Sequence, residues 1–180
     1  MNRAAVFLDR DGVLIEAVVR DGKPYPPADA DAMAVLPGAA SACRELAEAG
    51  FVLIVISNQP DIARGTATRA EVQVMNDRLQ QELGLDELVV CPHDDSDGCA
   101  CRKPRPGMIL DAARRWGVDL ARSVTVGDRW RDVAAGRAAG TRTVFVDRSY
   151  DEPSAEGQDL TVHQLEESVP WIIQTAAPAR

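Results

Sequence analysis

The chain has 180 residues, of which 46% are hydrophobic and 27% charged, and its formal net charge is -8. This length and composition are typical of a globular domain with a substantial core. The acidic balance argues against a nucleic-acid-binding protein, and no apolar run approaches the ~20 residues that span a bilayer. Because no apolar leader precedes the first strand-like run, we predict a cytoplasmic protein with no membrane partner.

Strand-like and helix-like segments alternate along the chain. The predicted strands are residues 4–8, 51–56, 88–90, 123–126, 143–146 and 160–162. The predicted helices run from 39 to a cap at 50, and over 69–83, 107–117, 133–139 and 164–173. This alternation predicts the α/β class, with one Rossmann-like, mostly parallel sheet flanked by helices in a single domain, 1–180.

Three segments interrupt this alternation. Residues 13–36 include the turn-rich stretch 21–27, which predicts an irregular loop or a short flap. Residues 91–103 form a cysteine-rich loop. Residues 151–180 begin as a polar turn and are expected to continue as a C-terminal tail packed on the core.

Two carboxylates follow the first predicted strand at once. Asp9 and Asp11 are two residues apart, so both face one pocket if the chain stays extended there. Like charges this close need a compensating cation, and hard oxygen ligands favour Mg²⁺. A solvated Asp-Gly turn is an equally good interpretation of this stretch alone.

Other polar residues also follow predicted strands. Ser57 and Asn58 follow the second strand, Arg102 and Lys103 lie on the loop after the third, and Asp128 follows the fourth. We expect Ser57 and Asn58 to bind substrate by offering donors to an oxyanion, with capping of the next element as the alternative. Because ligands bind outside the carboxyl ends of parallel strands, we expect these loops to meet at one crevice.

This set of residues fits phosphoryl transfer. We expect Asp9, Asp128 and the backbone carbonyl near Asp11 to hold one Mg²⁺, which leaves Asp9 able to attack phosphorus in line. Asp11 would protonate the leaving oxygen and then activate a water.

The phosphoryl oxygens need donors as well. Lys103, Ser57 and the backbone N–H groups after Asp9 are the candidates, because charge accumulates on the equatorial oxygens. Asp132 lies one helical turn beyond Asp128 and is expected to orient Lys103 or a metal-bound water.

Four motifs in this order resemble those of the haloacid dehalogenase superfamily of phosphatases. They are residues 7–12, 57–59 and 102–104, and Gly127-Asp128 with Asp132. The resemblance implies that Asp9 forms an aspartyl-phosphate and that Asp11 is the general acid and base. It also implies that Ser57 and Lys103 bind the phosphoryl group and that Asp128 is a magnesium ligand.

A phospho-accepting receiver domain of a signalling protein is the best alternative from another class. It too combines acidic residues, Mg²⁺, a Ser or Thr and a Lys on a parallel sheet. Its phosphorylated aspartate, however, follows the third strand, which here leads into cysteines. The sequence therefore favours an enzyme.

The cysteine-rich loop carries a complete set of zinc ligands. Cys91, His93, Cys99 and Cys101 supply three thiols and an imidazole, as in structural sites with no open position. A redox pair or reduced thiols without a metal is the alternative. We predict a small zinc-bound loop.

This loop resembles that of one branch of the superfamily, which contains heptose bisphosphate phosphatases and histidinol phosphatases. The resemblance implies a structural zinc that places Lys103 at the reacting phosphoryl group and Arg102 at a second anionic group. Residues 62–65 resemble the heptose enzymes more closely, so Arg64 is a second candidate for that group. Pro60-Asp61 departs from their pattern, and Arg64 has the alternative of pairing with Asp61.

The short separation of Asp9 and Ser57 leaves no room for a large cap domain. We therefore predict an open site in a Mg²⁺-dependent phosphomonoesterase with a structural zinc. The expected substrate is a small sugar phosphate, with a heptose bisphosphate favoured over histidinol phosphate, and we predict a monomer.

Overall fold

The structure is a computed structural model that describes residues 3–176. The strands are β1 (Ala5–Leu8), β2 (Val18–Arg20), β3 (Lys23–Tyr25), β4 (Val52–Asn58), β5 (Glu87–Cys91), β6 (Val124–Gly127), β7 (Arg142–Val146) and β8 (Leu160–Val162). The helices are α1 (Ala39–Glu48), α2 (Asp61–Arg64), α3 (Arg69–Leu83), α4 (Gly107–Trp116), α5 (Trp130–Ala139) and α6 (Leu165–Ala176). Short 3-10 turns lie at 95–97 and 120–122.

Six strands form one parallel sheet in the order β5-β4-β1-β6-β7-β8. The central strand β1 is buried on both faces: Val6 and Leu8 belong to one apolar cluster, and Ala5 and Phe7 to the other. This confirms the predicted α/β class and explains why the strand lacks an apolar–polar alternation.

The order of the strands determines where the site forms. From β1 the chain adds β4 and β5 on one side and then crosses to add β6, β7 and β8 on the other. Such a reversal leaves a crevice outside the carboxyl ends of the strands on both sides of the switch. The loops after β1, β4 and β6 therefore meet there.

The sequence marks the ends of α3 clearly. Thr68 and Glu71 form a capping box at its N-terminus, and Gly84 closes its C-terminus in the left-handed conformation. The helix covers the predicted range. Strand β4, by contrast, extends two residues beyond the predicted 51–56, so Ser57 and Asn58 lie on the strand itself.

The segment 13–36 was predicted as an irregular loop or a short flap, and within it β2 and β3 pair as an antiparallel hairpin. Asp21 and Gly22 connect them with φ values of 49° and 72°. Two positive φ angles in a two-residue loop suit the twist of a hairpin, and Asp-Gly is a preferred pair for it. Pro24 is tolerated because the hairpin has only two strands, both of them edges.

The C-terminal tail was predicted as residues 151–180, and positions 177–180 lie outside the described residues. Over the described part, α6 packs against α1 and β8 and buries Val169 and Ile172. Short helix α2 occupies part of the segment between β4 and α3, where only a loop was expected. Within residues 3–176, none of the helices is long and apolar enough to cross a membrane.

Candidate active site and zinc loop

Three carboxylates meet at the end of the central strands. Asp9 follows β1 and Asp128 follows β6, its neighbour, while Asp132 lies in the first turn of α5. One oxygen from each lies within 4.8 Å of the others. All three residues are buried, so their charges need a cation close by.

Asp128 is the carboxylate that most needs such a cation. Neither of its oxygens has a hydrogen-bond partner within the described residues, although both are buried. Burial, together with the charges of Asp9 and Asp132, raises the pKa of Asp128 well above its usual range. A buried carboxylate whose oxygens accept no hydrogen bond from residues 3–176 fits a hard cation such as Mg²⁺.

Gly12 keeps the space beside Asp128 open. Its φ is +90°, and a Cβ built there would lie 1.9 Å from Asp128 Oδ2 and 2.8 Å from the Tyr150 hydroxyl. Only glycine allows both the backbone conformation and this close approach.

Lys103 is fully held by its surroundings. Its Nζ lies 2.8 Å from Asp9 Oδ1 and 2.6 Å from Asp132 Oδ1, and it donates to the Ile56 carbonyl at 2.8 Å. Burial disfavours the ammonium charge, but the two carboxylates outweigh it and raise the pKa of Lys103. The side chain is therefore a fixed cation beside Asp9.

Asn58 anchors the backbone of Lys103. Its Nδ2 donates to the Lys103 carbonyl, and its Oδ1 accepts the Lys103 N–H, both at 3.1 Å. These contacts give its amide the task of holding the lysine, and the predicted role of Asn58 in substrate binding stays a prediction. The cavity is also lined by Asn58.

Asp11 lies outside the carboxylate cluster. Arg10 contacts it through Nε and Nη2, both at 3.2 Å, and Gln59 Nε2 donates to it at 2.9 Å. Gln59 Nε2 also donates to Ser57 Oγ at 2.8 Å, while Arg10 Nη1 donates to Asn76. The carboxylate of Asp11 is thus held by Arg10 and Gln59 and is not one of the three that converge, which leaves its backbone carbonyl as the candidate metal ligand.

The four predicted zinc ligands come together. Cys91 Sγ lies 3.2 Å from Cys101 Sγ and 3.7 Å from Cys99 Sγ, and Cys99 and Cys101 are 3.4 Å apart. His93 Nδ1 lies 3.3 Å from Cys101 Sγ and 3.6 Å from Cys91 Sγ. A tetrahedral zinc with bonds of ~2.0–2.3 Å requires ligand atoms a little under ~4 Å apart, so the donor set fits the metal.

Arg64 and Arg102 form ion pairs with the zinc loop. Arg64 contacts Asp94 through two hydrogen bonds of 2.8 and 2.9 Å, while Asp61, the alternative partner, is 3.7 Å away. Arg102 contacts Asp95 at 2.8 Å. Both arginines line the same cavity of about 210 Å³ as Asp9 and Lys103.

Several residues of the site have no role in the sequence-based interpretation. Arg129 and Arg131 line the cavity and pair with Glu152 and Asp95, respectively. Gln59 and Arg10 lay inside the recognised motifs, at 57–59 and 7–12, and that position was the available signal. The pairing of Arg129 with Glu152 joins two loops that are distant in sequence, and no pattern in the sequence indicates it.

The fold and the site together define a hydrolase class. The haloacid dehalogenase-like hydrolase family matches residues 26–140, and the chain belongs to this family.

Two curated relatives are named D-glycero-beta-D-manno-heptose-1,7-bisphosphate 7-phosphatase. The one from Bordetella bronchiseptica is 39% identical over 75% of this chain and 75% of its own length. The one from Yersinia pestis is 34% identical over 96% of this chain and 91% of its own length.

A solved structure agrees with these relatives. D,D-heptose 1,7-bisphosphate phosphatase from B. bronchiseptica, in complex with magnesium and phosphate, has a TM-score of 0.82 and 32% identity. The match covers 95% of this chain and 98% of that one. The predictions of a haloacid dehalogenase-type fold and of a phosphatase are confirmed.

Proposed function

We propose that this protein is a Mg²⁺-dependent phosphomonoesterase that removes the 7-phosphate from D-glycero-D-manno-heptose 1,7-bisphosphate. The observation that carries the proposal is the buried cluster of Asp9, Asp128 and Asp132 with Lys103 at its edge. The names of the relatives support the substrate, as does the second pair of cations in the same cavity, Arg64 and Arg102.

Asp9 is the nucleophile of the proposed reaction. One of its carboxylate oxygens forms a bond to phosphorus while the bond from phosphorus to the sugar oxygen breaks, which gives an aspartyl-phosphate. Lys103 Nζ and the backbone N–H groups after Asp9 donate to the equatorial phosphoryl oxygens, and Ser57 Oγ joins them. Asp132 keeps Lys103 in place for this task.

Asp11 moves the protons. It gives a proton to the leaving sugar oxygen, and as a carboxylate it then takes one from the water that hydrolyses the aspartyl-phosphate. Arg10 and Gln59 hold its carboxylate in one orientation between the two steps. Asp9, Asp128 and the Asp11 backbone carbonyl would hold Mg²⁺, which neutralises phosphate charge when bound.

The zinc loop supports this chemistry from outside the reacting atoms. We propose that Cys91, His93, Cys99 and Cys101 bind one structural Zn²⁺, because the four donors already converge and leave no open position. The loop also carries Arg102 and Lys103. Its order therefore determines where Lys103 enters the site.

The environment of the protein is part of the proposal. Thiols that bind zinc persist in a reducing compartment, which supports the cytoplasm as the location.

That the protein is a monomer stays a prediction, and light scattering of the purified protein tests it. The proposed partners are the sugar phosphate and the two metals, with no nucleic acid or membrane.

The test is a side-by-side assay of purified protein with Mg²⁺. We expect turnover of heptose 1,7-bisphosphate with a kcat/KM well above that for histidinol phosphate and for a panel of sugar monophosphates. Asp9→Asn is the inactive control, because the amide of asparagine is a poor nucleophile. Higher kcat/KM for histidinol phosphate would contradict the proposed substrate, and full turnover by Asp9→Asn would contradict the proposed mechanism.

A further inference from the structure

Asp94 of the zinc loop reaches across to Arg64, which belongs to helix α2. Arg64 Nε donates to Asp94 Oδ2 at 2.8 Å and Nη2 donates to Oδ1 at 2.9 Å. These bonds use the lateral edge of the guanidinium group, so the N–H groups left on Nη1 and Nη2 form a second edge. Nothing on Asp61 bonds to that edge, because the nearest carboxylate oxygen is 3.7 Å from Nη1.

Arg102 repeats the arrangement on the other side of the loop. Its Nε donates to Asp95 Oδ1 at 2.8 Å, and its Nη1 donates to the His93 carbonyl at 3.1 Å. Arg64 and Arg102 both line the cavity that contains Lys103. Each guanidinium group is thus fixed by a carboxylate of the zinc loop, and each keeps N–H groups with which to bind an anion.

The carboxylate of Asp94 is itself held by the loop. Its Oδ1 accepts the Asp95 N–H at 2.7 Å, and the Asp94 N–H donates to Asp97 Oδ2 at 2.8 Å. These bonds cap the 3-10 turn at 95–97. The turn begins one residue after Asp94, which itself directly follows the zinc-ligand candidate His93, so the order of the loop sets the direction of the Asp94 side chain.

We propose that Asp94 is a positioning residue for the second phosphoryl group of the substrate, acting through Arg64. Its two hydrogen bonds hold the long arginine side chain with its free edge available, so that less side-chain freedom is lost when the phosphate binds. Asp94 thereby transmits the order of the zinc loop to an arginine outside that loop. This inference rests on the proposed bisphosphate substrate.

The variant Asp94→Asn separates this role from a structural one. Asparagine keeps one oxygen to accept the Asp95 N–H but replaces the other with an NH₂ group, which cannot accept from Arg64. Asp97→Asn is the matched control, because it removes the same charge from the same loop while its amide oxygen can still accept the Asp94 N–H. No described arginine pairs with Asp97. Zinc content, measured by elemental analysis, should be the same in both variants and in the unchanged protein.

We expect Asp94→Asn to raise KM for heptose 1,7-bisphosphate about fivefold, the loss typical of an exposed but well-formed ion pair. We expect kcat, and KM for heptose 7-phosphate, to stay unchanged, because Asp9 and Lys103 are untouched. Arg64→Lys keeps the positive charge on α2, but a lysine cannot make the two parallel hydrogen bonds with Asp94. It should therefore show the same rise in KM for the bisphosphate alone. The double variant should lose no more than Arg64→Lys alone.

The other outcomes separate the role of Asp94 from the proposed substrate. Unchanged KM in Asp94→Asn, an equal change in Asp97→Asn, or additive losses in the double variant would refute the role of Asp94 and leave the proposed function standing. If the unchanged protein has the same KM for both heptose substrates, then the second-phosphate subsite does not exist, and the proposed substrate fails with it.

Discussion

At the scale of single residues, the site depends on charges that are buried and still matched. Lys103 lies between Asp9 and Asp132, so one lysine compensates part of the charge of three aspartates. Asp128 receives no such partner among the described residues and keeps both oxygens unsatisfied. An unpaired buried carboxylate costs several kcal/mol, which is why the cluster favours a divalent cation.

Gly12→Ala tests this arrangement. The new methyl group would overlap Asp128 Oδ2 and take a backbone conformation that costs about 1–2 kcal/mol for an L-residue. We expect Mg²⁺ affinity, measured by calorimetry, to fall more than about tenfold while zinc content stays the same. Unchanged Mg²⁺ affinity would show that the cation does not bind beside Asp128.

At the scale of elements, helix α5 links the sheet to the metal cluster. Asp132 lies in its first turn, and Gly136, one turn later, packs on β6 and β7. A Cβ at Gly136 would lie 2.7 Å from Thr125 Cβ and 2.8 Å from Thr143 Cγ2. The glycine sets how closely α5 approaches the sheet and hence how far Asp132 reaches toward Lys103.

Gly136→Val should therefore destabilise the protein. Overpacking at a tight contact typically costs about 1–3 kcal/mol, and a β-branched residue gains little helix propensity to offset it. Urea denaturation should show a lower midpoint with an unchanged slope. Ala138→Val is the matched control, because Ala138 lies exposed in the same helix and carries only the helix-propensity cost of a β-branched residue. A midpoint that stays the same in Gly136→Val would contradict the tight packing.

The zinc loop is the second element that bears on the site. Cys99→Ser removes one thiolate, and with it most of the zinc affinity, because four ligands hold the ion. We expect zinc content to drop below one per chain and kcat to fall as Lys103 and Arg102 lose their support. Thermal unfolding of the core should shift little, since the loop lies at the end of β5, outside both apolar clusters apart from its cysteines. Full activity without zinc would contradict a supporting role for the metal.

At the scale of the whole molecule, the cavity is less acidic than the protein that surrounds it. The net charge is -8, yet the cavity is lined by as many cationic as acidic side chains: Lys23, Arg64, Arg102, Lys103, Arg129 and Arg131, beside Asp9, Asp11, Asp61, Asp95, Asp132 and Glu152. The electrostatic potential inside a cleft depends mainly on the charged groups that line it. A strongly anionic substrate is therefore compatible with the negative net charge of the protein. The argument from net charge against a nucleic-acid partner stays a prediction, and it said nothing about this pocket.

The sequence predicted the sheet and its helices because their signals are local. Long apolar runs, the capping box of α3 and glycines at helix ends each lie within one element. Residues at strand ends, such as Asp9 and Asp128, were found by the same logic, since parallel strands bring those ends together. The hairpin of β2 and β3 was missed although Asp21-Gly22 is a favoured turn, because the prolines around it were taken to prevent pairing.

Contacts between loops could not be predicted in the same way. Arg64 was expected at the substrate, with its neighbour Asp61 as the alternative partner, and its two hydrogen bonds go to Asp94, thirty positions away. Its contact with substrate stays a prediction. Likewise, Asn58 holds Lys103 and Arg10 holds Asp11, and both depend on side-chain directions that only the assembled fold determines. Local pattern gives the residue types at the site, whereas packing decides which of them touch.

The central claim is that Asp9 accepts the phosphoryl group, and its most direct test is to trap the aspartyl-phosphate. Asp11→Asn should form this intermediate from an aryl phosphate, whose leaving oxygen departs without a proton from Asp11, but hydrolyse it slowly, because the base that activates water is missing. Acid quenching after mixing with Mg²⁺ and the aryl phosphate, followed by peptide mass spectrometry, should find one phosphoryl group on the peptide that carries Asp9. Turnover with no phosphorylated peptide, or with the phosphoryl group on another residue, would contradict the account.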